Sequence, residues 1–166
     1  MNAFVISIDP GSSGAIAIQE PSLGRIVAVH PIPMQPMLKG GGKTSKEVCI
    51  PKLRLILEPY AVPGTVAVLE VAIAMGRFAS KSGIRTTGVN YGRLIASLIF
   101  LGIPYHEMMP AEWKKVMGLS KDKKESLAML AQLYPSQHAE IGNDDDKAEA
   151  VLIAHAARRA GYIHAA

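Results

Sequence analysis

The chain opens on an apolar run, AFVISI, that stops at Asp9, and a second run, GAIAI, follows after Pro10, Gly11 and Gly14. Short apolar runs punctuated by Pro and Gly read as buried strands joined by a turn, so a hairpin is expected with Asp9 at its strand end. RIVAVHPI supplies a third strand through the short joint QEPSLG, which suits an antiparallel meander. The next stretch, PIPMQPMLKGGGKTS, is dense in Pro, Met and Gly and is expected to be a mobile basic loop carrying Lys39 and Lys43. A helix is expected from Ser45, a suitable N-cap, through KEVCIPKLRLILEPY, with Pro51 arguing for a break or a later start.

TVAVLE then reads as a buried strand ending in Glu70. A helix between two strands implies a crossover and parallel pairing, so this strand is expected to lie parallel to the first. Asp9 and Glu70 would both stand at carboxyl ends of parallel strands, the edge of an open α/β sheet where ligands bind. Downstream the pattern is mostly helical: YGRLIASLIFLG, a short strand PYHEMM, then AEWKKVMG, KDKKESLAMLAQLY and DDDKAEAVLIAHAARRAG. The fold class is α/β, without internal repeats or a domain boundary from residue 1 to 166.

Composition excludes several classes. With 166 residues, 49% of them hydrophobic and 19% charged, the chain can bury a sizeable core and is not of the disordered type. Its single cysteine, Cys49, cannot form an internal disulfide. The N-terminus lacks the basic region of a secretory signal and carries Asp9 in its apolar stretch, so an intracellular, cytoplasmic location is expected. The longest apolar segment, LIASLIFLGIPY, is too short to span a bilayer, so no membrane association is expected. A net charge of +4 and a pI near 9.2 lean toward a polyanionic partner.

Four carboxylates are the candidates for chemistry: Asp9, Glu70, Asp146 and Glu149. The spacing of three puts Asp146 and Glu149 on one helical face, with β-carbons about 5–6 Å apart, and Ile153 continues that stripe inward. Inward-facing acids repel one another and lose hydration unless a cation compensates, and hard divalent ions take such oxygen ligands. Two ions about 3.5–4 Å apart would suit in-line displacement at phosphorus, and hence phosphodiester hydrolysis. Blander readings exist: acids in a first helical turn complement the macrodipole, with Asp144 or Asn143 as cap, and Asp9 could stabilise its Pro-Gly turn. Glu70 resists such a reading, because a buried strand gains nothing from an unpaired charge.

On these residues the sequence resembles the RuvC-like Holliday junction resolvases, a branch of the ribonuclease H-like nucleases. The matching pieces are IDPGSSGAIAI, VAVLE and DKAEAVLIA, which lie in the family's order and span nearly the whole chain. The resemblance implies a five-stranded mixed β-sheet flanked by α-helices. It also implies a homodimer that makes paired symmetric nicks across a four-way DNA junction, two related sites suiting a two-fold substrate. By position Asp9, Glu70, Asp146 and Glu149 are its catalytic metal ligands, for two Mg²⁺ ions per site with Mn²⁺ as a substitute. The family usually has aspartate where Glu149 stands; Asp145 is the reserve ligand, a helical turn before Glu149.

Between Val71 and His106 there is no acid, but Arg77, Lys81, Arg85 and Arg93 are present. A one-signed segment beside a metal site would draw phosphates to it. The stretch GRFASKSGIRTTGVNYGR has the composition of a loop whose amides and hydroxyls contact a backbone. Phe78 suits either a wedge at a junction or core packing, the commoner use of an aromatic, and Tyr91 is similar. Lys114 and Lys115 begin a second basic region, with Lys121, Lys123 and Lys124; interspersed acids make most of it a solvated helix surface, with one or two phosphate contacts expected.

GGGKTS matches only the end of a phosphate-loop motif, since Met37 occupies the first glycine position, so no nucleotide cofactor is expected. The five histidines show no zinc spacing, and packing is the expected role of His155 and Trp113. The alternatives to junction resolution are a related nuclease for flaps, forks or RNA–DNA hybrids, and a non-catalytic DNA-binding dimer. An actin-like or sugar-kinase-like ATPase ranks last, because the chain is short for two domains and the Asp146/Glu149 pair has no task there.

Overall fold

The protein is described by a computed structural model over residues 3–20, 22, 24–38, 44–72, 80–120 and 122–163. Strand β1 (Val5–Ile8) pairs antiparallel with β2 (Ala15–Glu20), which pairs antiparallel with β3 (Arg25–Pro31). On its other side β1 pairs parallel with β6 (Val66–Glu70), and β6 parallel with β7 (Tyr105–Met108). The result is the expected five-stranded mixed sheet, in the order β3-β2-β1-β6-β7.

Helices cover both faces, and the two-residue period of the strands decides which side chains meet which helices. Ile6, Ile8, Ile16, Ile18 and Leu69 face α1 (Ile50–Leu57) and α2 (Lys81–Phe100), packing with Leu53, Leu57, Leu94 and Leu98. Val5 and Val68 face the opposite layer, where Trp113 and Met117 of α3 (Pro110–Met117) meet Leu152 and Ile153 of α6 (Asp145–Arg159). Ala15 and Ala17 pack against Ala148, Ala150 and Val151 of α6 and Leu130 of α4 (Lys123–Leu133). Small residues on both sides bring α6 close enough for the Ser7 hydroxyl to donate to the Ala150 carbonyl at 2.6 Å. Helix α5 (Pro135–Ile141) links α4 to α6. Among the described residues no helix is long and apolar enough to cross a membrane.

Three local expectations are corrected. The segment read as an irregular loop forms a two-stranded ribbon, β4 (Met34–Leu38) against β5 (Thr44–Val48); residues 39–43, which include Lys39, Lys43 and most of GGGKTS, lie outside the described residues. Pro36 is tolerated because a two-stranded ribbon leaves each strand one edge without a ladder partner. The helix expected from Ser45 begins only after Cys49, with Pro51 in its first turn, where a missing N–H costs nothing. The loop expected up to Arg93 is helical from Lys81, because the Ser80 hydroxyl accepts from the Gly83 N–H at 3.0 Å and starts a 20-residue helix.

Candidate active site

The carboxyl ends of β1 and β6 assemble the first half of the site. Parallel register pairs Ile8 with Leu69, so the residues that follow, Asp9 and Glu70, emerge side by side. The Asp9–Gly14 turn is held by the Asp9 N–H on the Ala15 carbonyl at 2.9 Å and the Gly14 N–H on the Gly11 carbonyl at 3.0 Å. Helix α6 supplies the second half. Its N-cap is Asp144, whose carboxylate accepts from the Lys147 N–H at 3.1 Å and pairs with the Lys147 ammonium at 2.9 Å. One turn on, Asp146 and Glu149 face the sheet end, and Ile153 continues the stripe into the core.

Asp9, Glu70, Asp146 and Glu149 thus line one open cleft of about 730 Å³, with Lys46 of β5 and Asn90 of α2 in its wall. Asp145, at the start of α6, is not in the lining. Burial pushes the Asp9 carboxyl up to about 7, and the charges of Glu70, Asp146 and Glu149 push in the same direction, against a backbone hydrogen bond from Gly11. Glu149 is compensated from α3: the Lys114 ammonium lies 2.8 Å from its Oε1, and the Ser126 hydroxyl donates to the same oxygen at 3.2 Å. Beside the cleft, burial and the hydrogen bond donated to Glu107 at 2.5 Å raise the Tyr91 hydroxyl well above its usual range.

The four carboxylates in the lining have the donor chemistry of a hard divalent cation. Its arrangement is not a closed cage: among the described residues no group of three or more His, Cys, Asp or Glu side chains is set to hold a metal ion as it stands.

The cationic residues divide by environment. Lys81 and Arg85 are exposed on the first turns of α2 and line a groove of about 430 Å³ that shares Lys46, Thr86 and Asn90 with the acidic cleft. Arg93 pairs with Glu47 at 2.8 Å and donates to the Val48 carbonyl at 2.9 Å, fastening the ribbon to α2. Lys114 is turned onto Glu149, whereas Lys115 is exposed. Arg77 and Phe78 lie outside the described residues. Trp113 is fully buried, and His155 meets the Tyr134 hydroxyl at 2.9 Å, as their expected packing roles require.

Sequence reasoning missed Lys46 and Asn90. The Asn90 Oδ1 accepts from the Val48 N–H at 3.0 Å and its Nδ2 donates to the Lys46 carbonyl at 3.3 Å, so α2 fixes the strand that carries Lys46. The stretch TSKEV is polar at its first four positions, so it carries no alternation that would have marked it as a strand.

No family model matches the chain, and no curated protein matches it in sequence. Among solved structures it is similar to Thermus thermophilus RuvC in complex with a Holliday junction substrate, with a TM-score of 0.59 and 15% identity over 96% of this chain and 95% of that one. A second Thermus thermophilus RuvC structure gives a TM-score of 0.57 and 15% identity over 95% of this chain and 96% of that one. At this identity the likeness is one of fold alone, a mixed five-stranded sheet flanked by helices with ribonuclease H-like architecture.

Proposed function

We propose that the protein is a metal-dependent endonuclease that resolves four-way DNA junctions by paired nicks, acting as a homodimer. The observation that carries this reading is the convergence of Asp9, Glu70, Asp146 and Glu149 in one cleft that opens into a groove bearing Lys46, Lys81 and Arg85. Acids that repel one another invite dications, and adjoining cations invite the phosphates on which such ions act.

Asp9, Glu70 and Asp146 would hold Mg²⁺ or Mn²⁺, with Glu149 the ligand for a second ion. Bound there, the metal supplies Lewis-acid stabilisation of charge at phosphorus and a more acidic water. The chain's own residues do the rest. Asp9, whose carboxyl is pushed up to about 7 by burial and by its acidic neighbours, would have to be deprotonated to serve as a ligand. Lys46, Lys81, Arg85 and Lys115 would attract and register the backbone, while Arg93 is committed to Glu47 and the Val48 carbonyl. The Asp9–Gly14 turn holds the β1 carboxylate still.

The test is incubation of the purified protein with labelled junction, flap, fork, RNA–DNA hybrid and plain duplex, with and without chelator. Symmetric, chelator-sensitive nicking of the junction alone is expected. Preference for a flap, fork or hybrid would move the assignment to another ribonuclease H-like nuclease. Junction binding without metal-dependent cleavage would leave a DNA-binding protein in its place.

A further inference from the structure

The groove beside the acidic cleft changes character along its length. Lys81, Arg85, Val89 and Arg93 follow one another at steps of four along α2, so they form one ridge of the helix, and all four line the groove. Lys81 and Arg85 are exposed cations, and Val89 is an aliphatic side chain left 41% exposed. Arg93 ends the ridge with its charge met by Glu47 at 2.8 Å. Met37 of β4, half-buried, joins Val89 as the other apolar member of the lining. The groove therefore runs from positive charge to an apolar patch to a neutralised end, and through Lys46, Thr86 and Asn90 it is continuous with the cleft.

Its volume of about 430 Å³ is that of a small-ligand pocket, with room for a nucleotide and not for a base-paired helix. An unpaired nucleotide carries the two chemistries the ridge offers: a phosphate that seeks cations, and a base with flat apolar faces. The Arg85 guanidinium can itself stack on such a face. We propose that the groove is a single-nucleotide subsite. It takes one unpaired nucleotide of DNA beside the phosphate that enters the cleft, its phosphate on Lys81 and Arg85 and its base against Met37 and Val89. The charge of the ridge and its continuity with the cleft identify this occupant. Extruding a paired base costs stacking, and the cost is least where a branch has already freed the base. The substrate class is thereby narrowed to branched DNA with an unpaired nucleotide next to the cut. The inference rests on the reading above that a DNA strand crosses the acidic cleft.

The experiment is fluorescence-anisotropy binding of the full chain in chelator, so that no cleavage is needed. Three labelled probes are compared: a plain duplex, the same duplex with one unpaired nucleotide, and that duplex with the base of the unpaired nucleotide missing. Wild type is expected to bind the second probe on the order of tenfold more tightly than the first, and to lose most of that preference with the third. Val89→Ser, at an exposed helical position where urea unfolding verifies the fold, is expected to reduce the preference to below about threefold. A preference that survives either the loss of the base or Val89→Ser, or no preference at all, would overturn the subsite. A base-dependent preference in a protein that cuts no DNA in Mg²⁺ would support the subsite and overturn the nuclease reading. No binding to any probe would overturn both.

Discussion

A β-carbon added to Gly14 would lie 2.1 Å from the carbonyl oxygen of Asp9, and also 2.6 Å from the Gly11 nitrogen. Both obstacles are backbone, so the turn itself would have to open. Gly14→Ala is expected to cost about 1–3 kcal/mol in urea unfolding and to displace Asp9 from its neighbours. Gly88, on an exposed face of α2, has nothing within 4 Å of such a carbon. Gly88→Ala is expected to gain about 0.5–1 kcal/mol from helix propensity alone. Equal effects at the two positions would refute the tight turn.

Asp146→Asn keeps the size of the side chain and every cation of the groove. It is expected to abolish junction cleavage in Mg²⁺ while junction affinity changes less than about threefold, since phosphate contacts dominate affinity. Gel-based cleavage and binding with one protein preparation separate the two. Full activity would remove Asp146 from the site.

The metal-free protein should lose stability as pH rises toward neutrality. The Asp9 carboxyl stands near 7 in the folded chain against 3.8 as its ordinary value, so between these the native state binds the extra proton. The contribution is fully present below about pH 4, declines through the interval and is flat above about pH 7. In chelator, the difference in urea midpoint between wild type and Asp9→Asn should therefore widen from acid to neutral pH in favour of the variant. A difference constant with pH would show that Asp9 is not held under that strain.

Asn90→Leu removes the acceptor for the buried Val48 N–H and the donor to the Lys46 carbonyl. An orphaned buried amide costs about 1–3 kcal/mol, and the loss should be felt first in the ribbon. Hydrogen exchange at Val48 is expected to accelerate well beyond exchange in β1. Uniform acceleration throughout the sheet would contradict a local clamp.

Lys81→Ala/Arg85→Ala removes two exposed cations from the groove beside the cleft. If each neutralises one phosphate, the slope of log affinity against log salt falls by about 0.9 per residue, or roughly 1.8 together. Fluorescence anisotropy from low to moderate salt measures it. An unchanged slope would take DNA off this groove.

The sheet was legible because its strands are short apolar runs broken by Pro and Gly, and buried strands have few other ways to be written. The parallel pairing of β1 and β6 followed from a helix lying between them, so the neighbouring ends at Asp9 and Glu70 could be anticipated. The Asp146/Glu149 face followed from helical spacing, and a cap at Asp144 or Asn143 from side-chain chemistry, of which the structure uses Asp144. The ribbon was not legible, because β4 and β5 derive their order from each other and from Asn90 and Arg93, more than 40 residues from β5. Lys114 was hidden for a related reason. As one lysine in a basic helix it reads as a surface charge, and only the docking of α3 on α6 turns it to Glu149.

The hydroxyl link from Ser7 to Ala150 spans 143 positions and is made in the middle of the molecule. A polypeptide emerging from a ribosome displays Asp9 and Glu70 long before Asp146 and Glu149 exist. The four acids line one cleft only once α6 has docked on the sheet, so the nascent chain cannot assemble it beforehand.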